Sequence, residues 1–227
     1  MKKVLFLIVM MGGFSLQAQS NDVLIKHYEA FYKQMRMQGD LQGSINALTH
    51  LTILQPNQAR KDTLAYLYFS GNQYIPALNV LGIEKDANAS KLALEVKAAS
   101  LKSVNQAERS LEQYELLFQK YPDIYVAYEM VDLQIQAGKY EEATKSVEYG
   151  LANCKEEDMI AFYETQNPYQ VPAKAAFTYM KGLTVFNKDQ TKVDEALALV
   201  KEAIVLAPDF NLAKTIRQAL LNRKAEM

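Results

Sequence analysis

A chain of 227 residues that sets 25 Lys and Arg against 26 Asp and Glu, for a net charge of −1, has no cationic surplus. That argues against nucleic acid and against an anionic lipid surface as partners, because both are held by clustered Lys and Arg. The single cysteine, Cys154, leaves no internal disulfide, so the fold rests on packing alone.

Residues 1–18 follow the order of a secretory signal: Lys2 and Lys3, an apolar run from Val4 to Met11, then Ala18 before a cleavage point. The run is shorter than the ~20 residues of a spanning helix. The expectation is export with cleavage, no integral membrane span afterwards, and a periplasmic or envelope location. No Cys follows the run, so lipid anchoring by that route is excluded.

Beyond the signal, apolar residues recur at helical spacing. Val23, Tyr28, Phe31 and Met35 mark a first helix, with His27 expected on its apolar side. Gly39-Asp40 breaks it, and Leu41 to Leu54 resumes the period up to Pro56. A second unit runs from Thr63 to Ser70, breaks at Gly71-Asn72, and continues after Pro76, which suits a first helical turn. A polar linker, Asp86 to Ser90, closes it, and Asn88-Ala89-Ser90 has the form of a glycosylation acceptor. A third unit spans Lys91 to Pro122 with its break near Asn105. A fourth runs from Asp123 to about Cys154 around the turn at Gly138.

These units share a ruler. Ser44, Ala77, Ser110 and Ala143 are small residues spaced 33 apart, and four positions after each stands a large one, Leu48, Leu81, Tyr114 or Val147. A fixed period in this range means a repeat array. Where two helices cross closely, a side chain larger than Ala or Ser would push them apart, while a large residue one turn away fills the space beside the crossing. The next equivalent, Ala196, comes 53 residues after Ala143, an excess of 20. The excess falls at 155–172. There, Glu156 to Glu164 is expected to continue a helix, while Pro168 and Pro172 force extended geometry around Tyr169. No strand pattern stands out. A fifth unit, Ala173 to Pro208, restores the helical hairpin. Asn211 to Met227 reads as a cap whose late Lys and Arg suit the helix dipole.

The units resemble the tetratricopeptide repeat over about residues 22–227. The strongest stretches are Gly138 to Ala143, Val193 to Leu197 and Ala203 to Pro208, with Leu64-Ala65-Tyr68 and Lys181-Gly182-Val185 fitting the first-helix pattern. The resemblance implies an all-α, right-handed α-solenoid of about five helical hairpins plus a C-terminal capping helix. It further implies that first helices line a concave groove. The repeat phase places there Lys26, Glu29 and Lys33; Asp62, Tyr66 and Phe69; Glu95 and Lys102; Tyr125, Tyr128 and Asp132; and Tyr179, Leu183 and Phe186. The Lys, Asn and Arg set with which one branch of the family clamps a C-terminal carboxylate is missing.

No catalytic constellation is readable: there is no zinc-protease helix, nucleophile elbow or phosphate-binding Gly-rich loop. No metal and no cofactor is expected, and an enzyme is disfavoured. His50 is expected to face solvent, and Cys154 to be a structural thiol. The expected function is a protein- or peptide-binding adaptor. Its candidate groove residues are Tyr66, Phe69, Lys102, Tyr125, Tyr128, Tyr179 and Phe186. Aromatics at such positions can anchor an apolar peptide or can pack against adjacent repeats. Tyr169 is either an exposed tip of the insertion or a plug folded into the groove; the alternative is that the insertion only lengthens a hairpin with a tight Pro turn. The competing reading is a structural self-assembly module of an envelope complex, using a convex face or an open end, which leaves a homo-oligomer open.

Overall fold

In the computed structural model, which describes residues 21–226, the chain folds as a succession of helices: α1 (residues 21–38), α2 (Leu41–Leu54), α3 (Gln58–Ser70), α4 (Tyr74–Leu81), α5 (Lys91–Ser103), α6 (Ala107–Lys120), α7 (Ile124–Gln136) and α8 (Tyr140–Asn153). Two short strands follow, β1 (Met159–Phe162) and β2 (Tyr169–Pro172), then α9 (Ala173–Lys188), α10 (Val193–Leu206) and α11 (Asn211–Ala225). The expected signal at 1–18 lies outside the described residues. By internal packing the chain divides into two compact units, Met1–Val104 and Asn105–Met227.

The 33-residue ruler reappears in the backbone. Gly39, Asn72, Asn105 and Gly138 carry φ of 71°, 58°, 59° and 71°, at the same interval as the small residues. Gly reaches this left-handed region freely, and Asn does so at modest cost. In three of these turns the next amide closes a six-residue loop: Asp40 N–H to Met35 C=O at 2.9 Å, Gln73 to Tyr68 at 2.8 Å and Lys139 to Gln134 at 2.8 Å. These bonds satisfy the last carbonyls of the preceding helix and turn the chain into the next one.

The small residues do what their spacing predicts. Ser44, Ala77, Ser110, Ala143 and Ala196 are all buried. Serine is tolerated at Ser44 because its hydroxyl donates to the Asp40 carbonyl at 2.7 Å, leaving no orphaned polar atom.

In the first unit, Ile45, Leu48 and Leu51 of α2 pack against Leu64 and Leu67 of α3. Ala65 and Ala77 meet Val96 of α5. The eight-residue α4 ends at Gly82, whose φ is 73°.

In the second unit one continuous core joins Ala127 and Val131 of α7, Val147 of α8, Phe177 and Met180 of α9, Val200 of α10 and Ala213 and Leu220 of α11. Two glycines set its closest approaches. A side chain on Gly150 would run into the Phe177 ring. One on Gly182 would lie 3.0 Å from Val200 Cγ2 and 3.1 Å from the Ala196 carbonyl.

The insertion departs from expectation. Glu156 to Glu164 does not continue a helix: Met159–Phe162 is a strand, paired antiparallel with Tyr169–Pro172 in the register Ile160–Val171 and Phe162–Tyr169. The reading that no strand is present is corrected with it. Four-residue strands give too short an alternation to stand out, and their stability comes from what one face buries. Ile160, Phe162 and Val171 are buried.

Candidate partner-binding site

In the first unit, Tyr66 on α3 is 43% exposed, and its ring is open to a partner. Phe69 is half-buried, with its ring 5.8 Å from that of Tyr74. Lys102 on α5 is half-buried, and Lys26 and Lys33 on α1 are exposed. Glu29 is held by Arg60 at 2.9 Å, and Glu95 lies 3.7 Å from Lys91.

Asp62 is a correction. It is buried, not displayed in a groove, and its carboxylate accepts from Ser90 Oγ at 2.7 Å and Gln58 Nε2 at 2.8 Å. It therefore ties α3 to the N-cap of α5. His27 is corrected too: it faces solvent, and it is its neighbour Tyr28 that stacks on His50 with 4.3 Å between centroids.

Sequence reasoning also overlooks Lys97. It is buried, and its ammonium donates to the Glu84 carbonyl at 2.7 Å, which pins the linker after α4. Burial pulls its pKa down, opposed by the charges of Asp86 and Glu84. Its place between Leu94 and Leu101 on the apolar stripe of α5 is the signal that could have revealed it.

In the second unit, Tyr125 on α7 is 46% exposed. Tyr128 and Tyr179 are not free anchors. Tyr128 packs edge-to-face on Phe177 at 5.6 Å and Phe162 at 6.2 Å. Tyr179 is only 3% exposed, with its ring 5.1 Å from Phe210. Burial first, then nearby negative charge, holds both phenols well above their ordinary pKa of 10.0. For Tyr128 the nearby groups are Tyr179, Glu129 and Asp132; for Tyr179 they are Asp132 and Glu164. Both phenols are neutral at physiological pH and serve as packing.

Tyr169 does not form the tip of the insertion. It opens β2, stacks on Phe162 at 5.6 Å, donates to Glu164, and accepts from the Leu212 amide at 3.2 Å. Burial and the Glu164 hydrogen bond raise its pKa, and the Leu212 amide opposes them. Its ring lies half-buried against Phe162 and the entry of α11. The exposed aromatic at the turn is Tyr163, at 74%. Phe162 and Phe210, which organise this cluster, are absent from the sequence-derived set because both lie in segments read as linkers or misread as helix.

Phe186 keeps an accessible face. With Leu183 on α9 and Ile216 and Leu220 on α11 it lines an open cavity of about 530 Å³, with Asn187, Gln190 and Arg223 at the rim. The cavity exists because α11 docks on α10 through Ala213 and Leu220 while Lys224 pairs with Asp194 at 2.5 Å. Cys154 is half-buried beside Leu151. Among the described residues no group of three His, Cys, Asp or Glu is placed to hold a metal, and no helix is long and apolar enough to cross a membrane.

No family model matches the chain, and no curated protein matches it. Solved structures do. A tetratricopeptide repeat protein from Parabacteroides merdae aligns with a TM-score of 0.64 at 19% identity, covering 91% of this chain and 74% of that one. The MamA protein aligns at 0.61 and 15% identity, covering 80% and 90%. Tetratricopeptide-like repeats of a putative kinesin light chain from Podospora anserina align at 0.54 and 15%, covering 85% and 96%. At these identities the likeness establishes the fold: all-α, built of successive helical hairpins of the tetratricopeptide-repeat type.

Proposed function

We propose that this chain is a non-enzymatic adaptor of the cell envelope that binds a protein or peptide through the apolar cavity between α9 and α11. The cavity carries the reading. It is open, apolar at its floor and polar at its rim, the composition that lets an apolar anchor enter and its backbone be oriented. Phe186 and Ile216 are the contact residues, while Tyr66 and Tyr125 are exposed aromatic contacts on their own units. The fold favours protein partners. The envelope setting rests on the signal pattern of residues 1–18.

The test is photo-crosslinking in cells from Asn187, at the cavity rim. Wild type should give a discrete adduct in the envelope fraction, with a mature N-terminus near Gln19. Phe186→Ala with Ile216→Ala should abolish it while helicity is kept. Loss of one good anchor costs about 2 kcal/mol, roughly 30-fold in affinity. An undiminished adduct from the double variant would reject the cavity.

A second reading, self-assembly through an open end, is favoured by α1, where Val23, Leu24, Phe31 and Met37 are exposed. Sedimentation of wild type against Phe31→Ser with Met37→Ser separates the two: a dimer lost in the variant supports assembly, and a monomer in both removes it.

A further inference from the structure

The hairpin leaves one strand edge unguarded. The Ala173 amide donates to the Asp158 carbonyl at 2.8 Å, directly beyond the pair Met159–Pro172. Residues 158 and 173 are therefore a hydrogen-bonded pair, and the alternation of an antiparallel ladder makes Ile160–Val171 and Phe162–Tyr169 hydrogen-bonded pairs as well. The backbone groups of Met159 and Ala161 then point away from β2. Among the described residues no other backbone group reaches them. Both residues are part-exposed, and Tyr163 beyond them is fully open.

The two edges differ. The outer edge of β2 carries Pro172, which has no N–H, and follows directly on Pro168. Proline is a standard block to strand addition. Nothing of that kind guards β1, whose outer edge offers two N–H and two C=O groups in extended geometry.

The surroundings select the occupant. Glu156, Glu157 and Asp158 precede β1 and Glu164 follows it, against Lys155 and, in the same cavity as Glu156, Lys174. A second copy of β1 is a poor occupant. In an antiparallel pair centred on Ile160, which sets Met159 of each copy opposite Ala161 of the other, Glu156 of each copy would stand opposite Glu164 of the other, and like charges directly opposed destabilise a ladder.

We infer that the outer edge of β1 is a docking site for an extended basic segment of a partner protein, added as a third strand beside Met159–Tyr163. Main-chain hydrogen bonds to Met159 and Ala161 supply the pairing, and Lys or Arg flanking an apolar centre meets the acidic ends. This surface is separate from the α9–α11 cavity and does not depend on it.

The probe is a labelled nine-residue peptide alternating Lys and Val, titrated into the full chain by fluorescence anisotropy at 0.15 M salt. It is compared with a Glu-for-Lys version and with a version N-methylated at alternate residues. Wild type should bind the basic peptide, and isotope-edited infrared spectra should show it as a strand. The acidic and N-methylated peptides should bind at least tenfold more weakly. Ala161→Pro, which removes an amide not used within the hairpin, should weaken binding at least tenfold at unchanged helicity. If that variant misfolds, the N-methylated peptide decides the matter on wild type. Equal binding of the basic and N-methylated peptides would overturn the inference, as would no binding at millimolar peptide. A wild-type dimer that Ala161→Pro dissolves would overturn it in favour of self-pairing. Phe186→Ala with Ile216→Ala should leave this binding intact, so failure of the cavity and failure of the edge are distinguishable.

Discussion

Phe162 and Phe210 stand 48 residues apart in the chain and 4.7 Å apart ring to ring. One belongs to the inserted hairpin and the other to the entry of the last helix, so the insertion and the cap share a core. Tyr169 strengthens the join by accepting from the Leu212 amide at 3.2 Å. The 20 extra residues are thus a packed part of the C-terminal unit, not an appended loop.

Phe162→Ala should therefore cost the second unit about 3–5 kcal/mol, the range for a buried aromatic truncated to Ala. Urea unfolding followed by circular dichroism should show the loss. Hydrogen exchange should place it in the hairpin, α9 and α11, with α2 to α4 unaffected. Uniform loss of protection across the whole chain would contradict this assignment.

Gly150→Ala pits two effects against each other. Replacing a helical Gly with Ala gains about 1 kcal/mol of propensity. Overpacking a filled core costs about 1–3 kcal/mol. Phe177 is fully buried and cannot yield, so the clash should win. Combining Gly150→Ala with Phe177→Leu should recover part of the loss. A single variant more stable than wild type would show that the ring has room to move.

Asn72 tests the turn ruler. Its φ of 58° suits Gly, so Asn72→Gly should be close to neutral. Asn72→Val should cost about 1–2 kcal/mol, the strain of a side chain in the left-handed region. Equal midpoints for the two variants in thermal unfolding would mean that the torsion carries no energetic weight.

Ser90 both caps α5, through its bond to the Ala93 amide at 3.0 Å, and donates to buried Asp62. Ser90→Ala should cost about 1–2 kcal/mol, and the linker between α4 and α5 should exchange its amides faster. Asp62→Ala should act on the same amides, and the double variant should cost less than the sum of the two.

Alkaline pH should unfold the second unit. Tyr179 has its folded pKa raised above the ordinary 10.0, so the native state keeps a proton that the unfolded chain loses near pH 10. The stability tied to this phenol is complete below pH 10 and falls as pH rises beyond it. One retained proton corresponds to about 1.4 kcal/mol per pH unit. Tyr179→Phe should flatten the fall in unfolding free energy between pH 10 and 11 by up to that amount. Equal slopes would mean that the phenol titrates freely in the folded protein.

Local signals made the helices readable. Gly39-Asp40 and Pro56 delimit Leu41–Leu54, and Asn211 opens the last helix where expected, because breakers and caps act within one turn of themselves. The groove set was only half legible. Tyr66 and Tyr125 keep exposed faces, whereas helical phase alone could not foresee that Tyr179 is covered by Phe210 or that Asp62 serves Ser90. Those outcomes depend on residues some 30 positions away.

The repeat spacing alone sets the helical part of the architecture. A small residue every 33 positions, with Gly or Asn at each turn, leaves neighbouring helices few other ways to approach one another. Only the tertiary structure decided what the aromatics do. A ring becomes an anchor or a core according to what folds over it, and here Phe162 of β1 packs on Tyr128 and Phe210 on Tyr179, whereas Tyr66, Tyr125 and Phe186 keep accessible faces. The same fold exposes the edge of β1, since hydrogen-bond direction along a strand is set by its partner's register and is not encoded in any single residue.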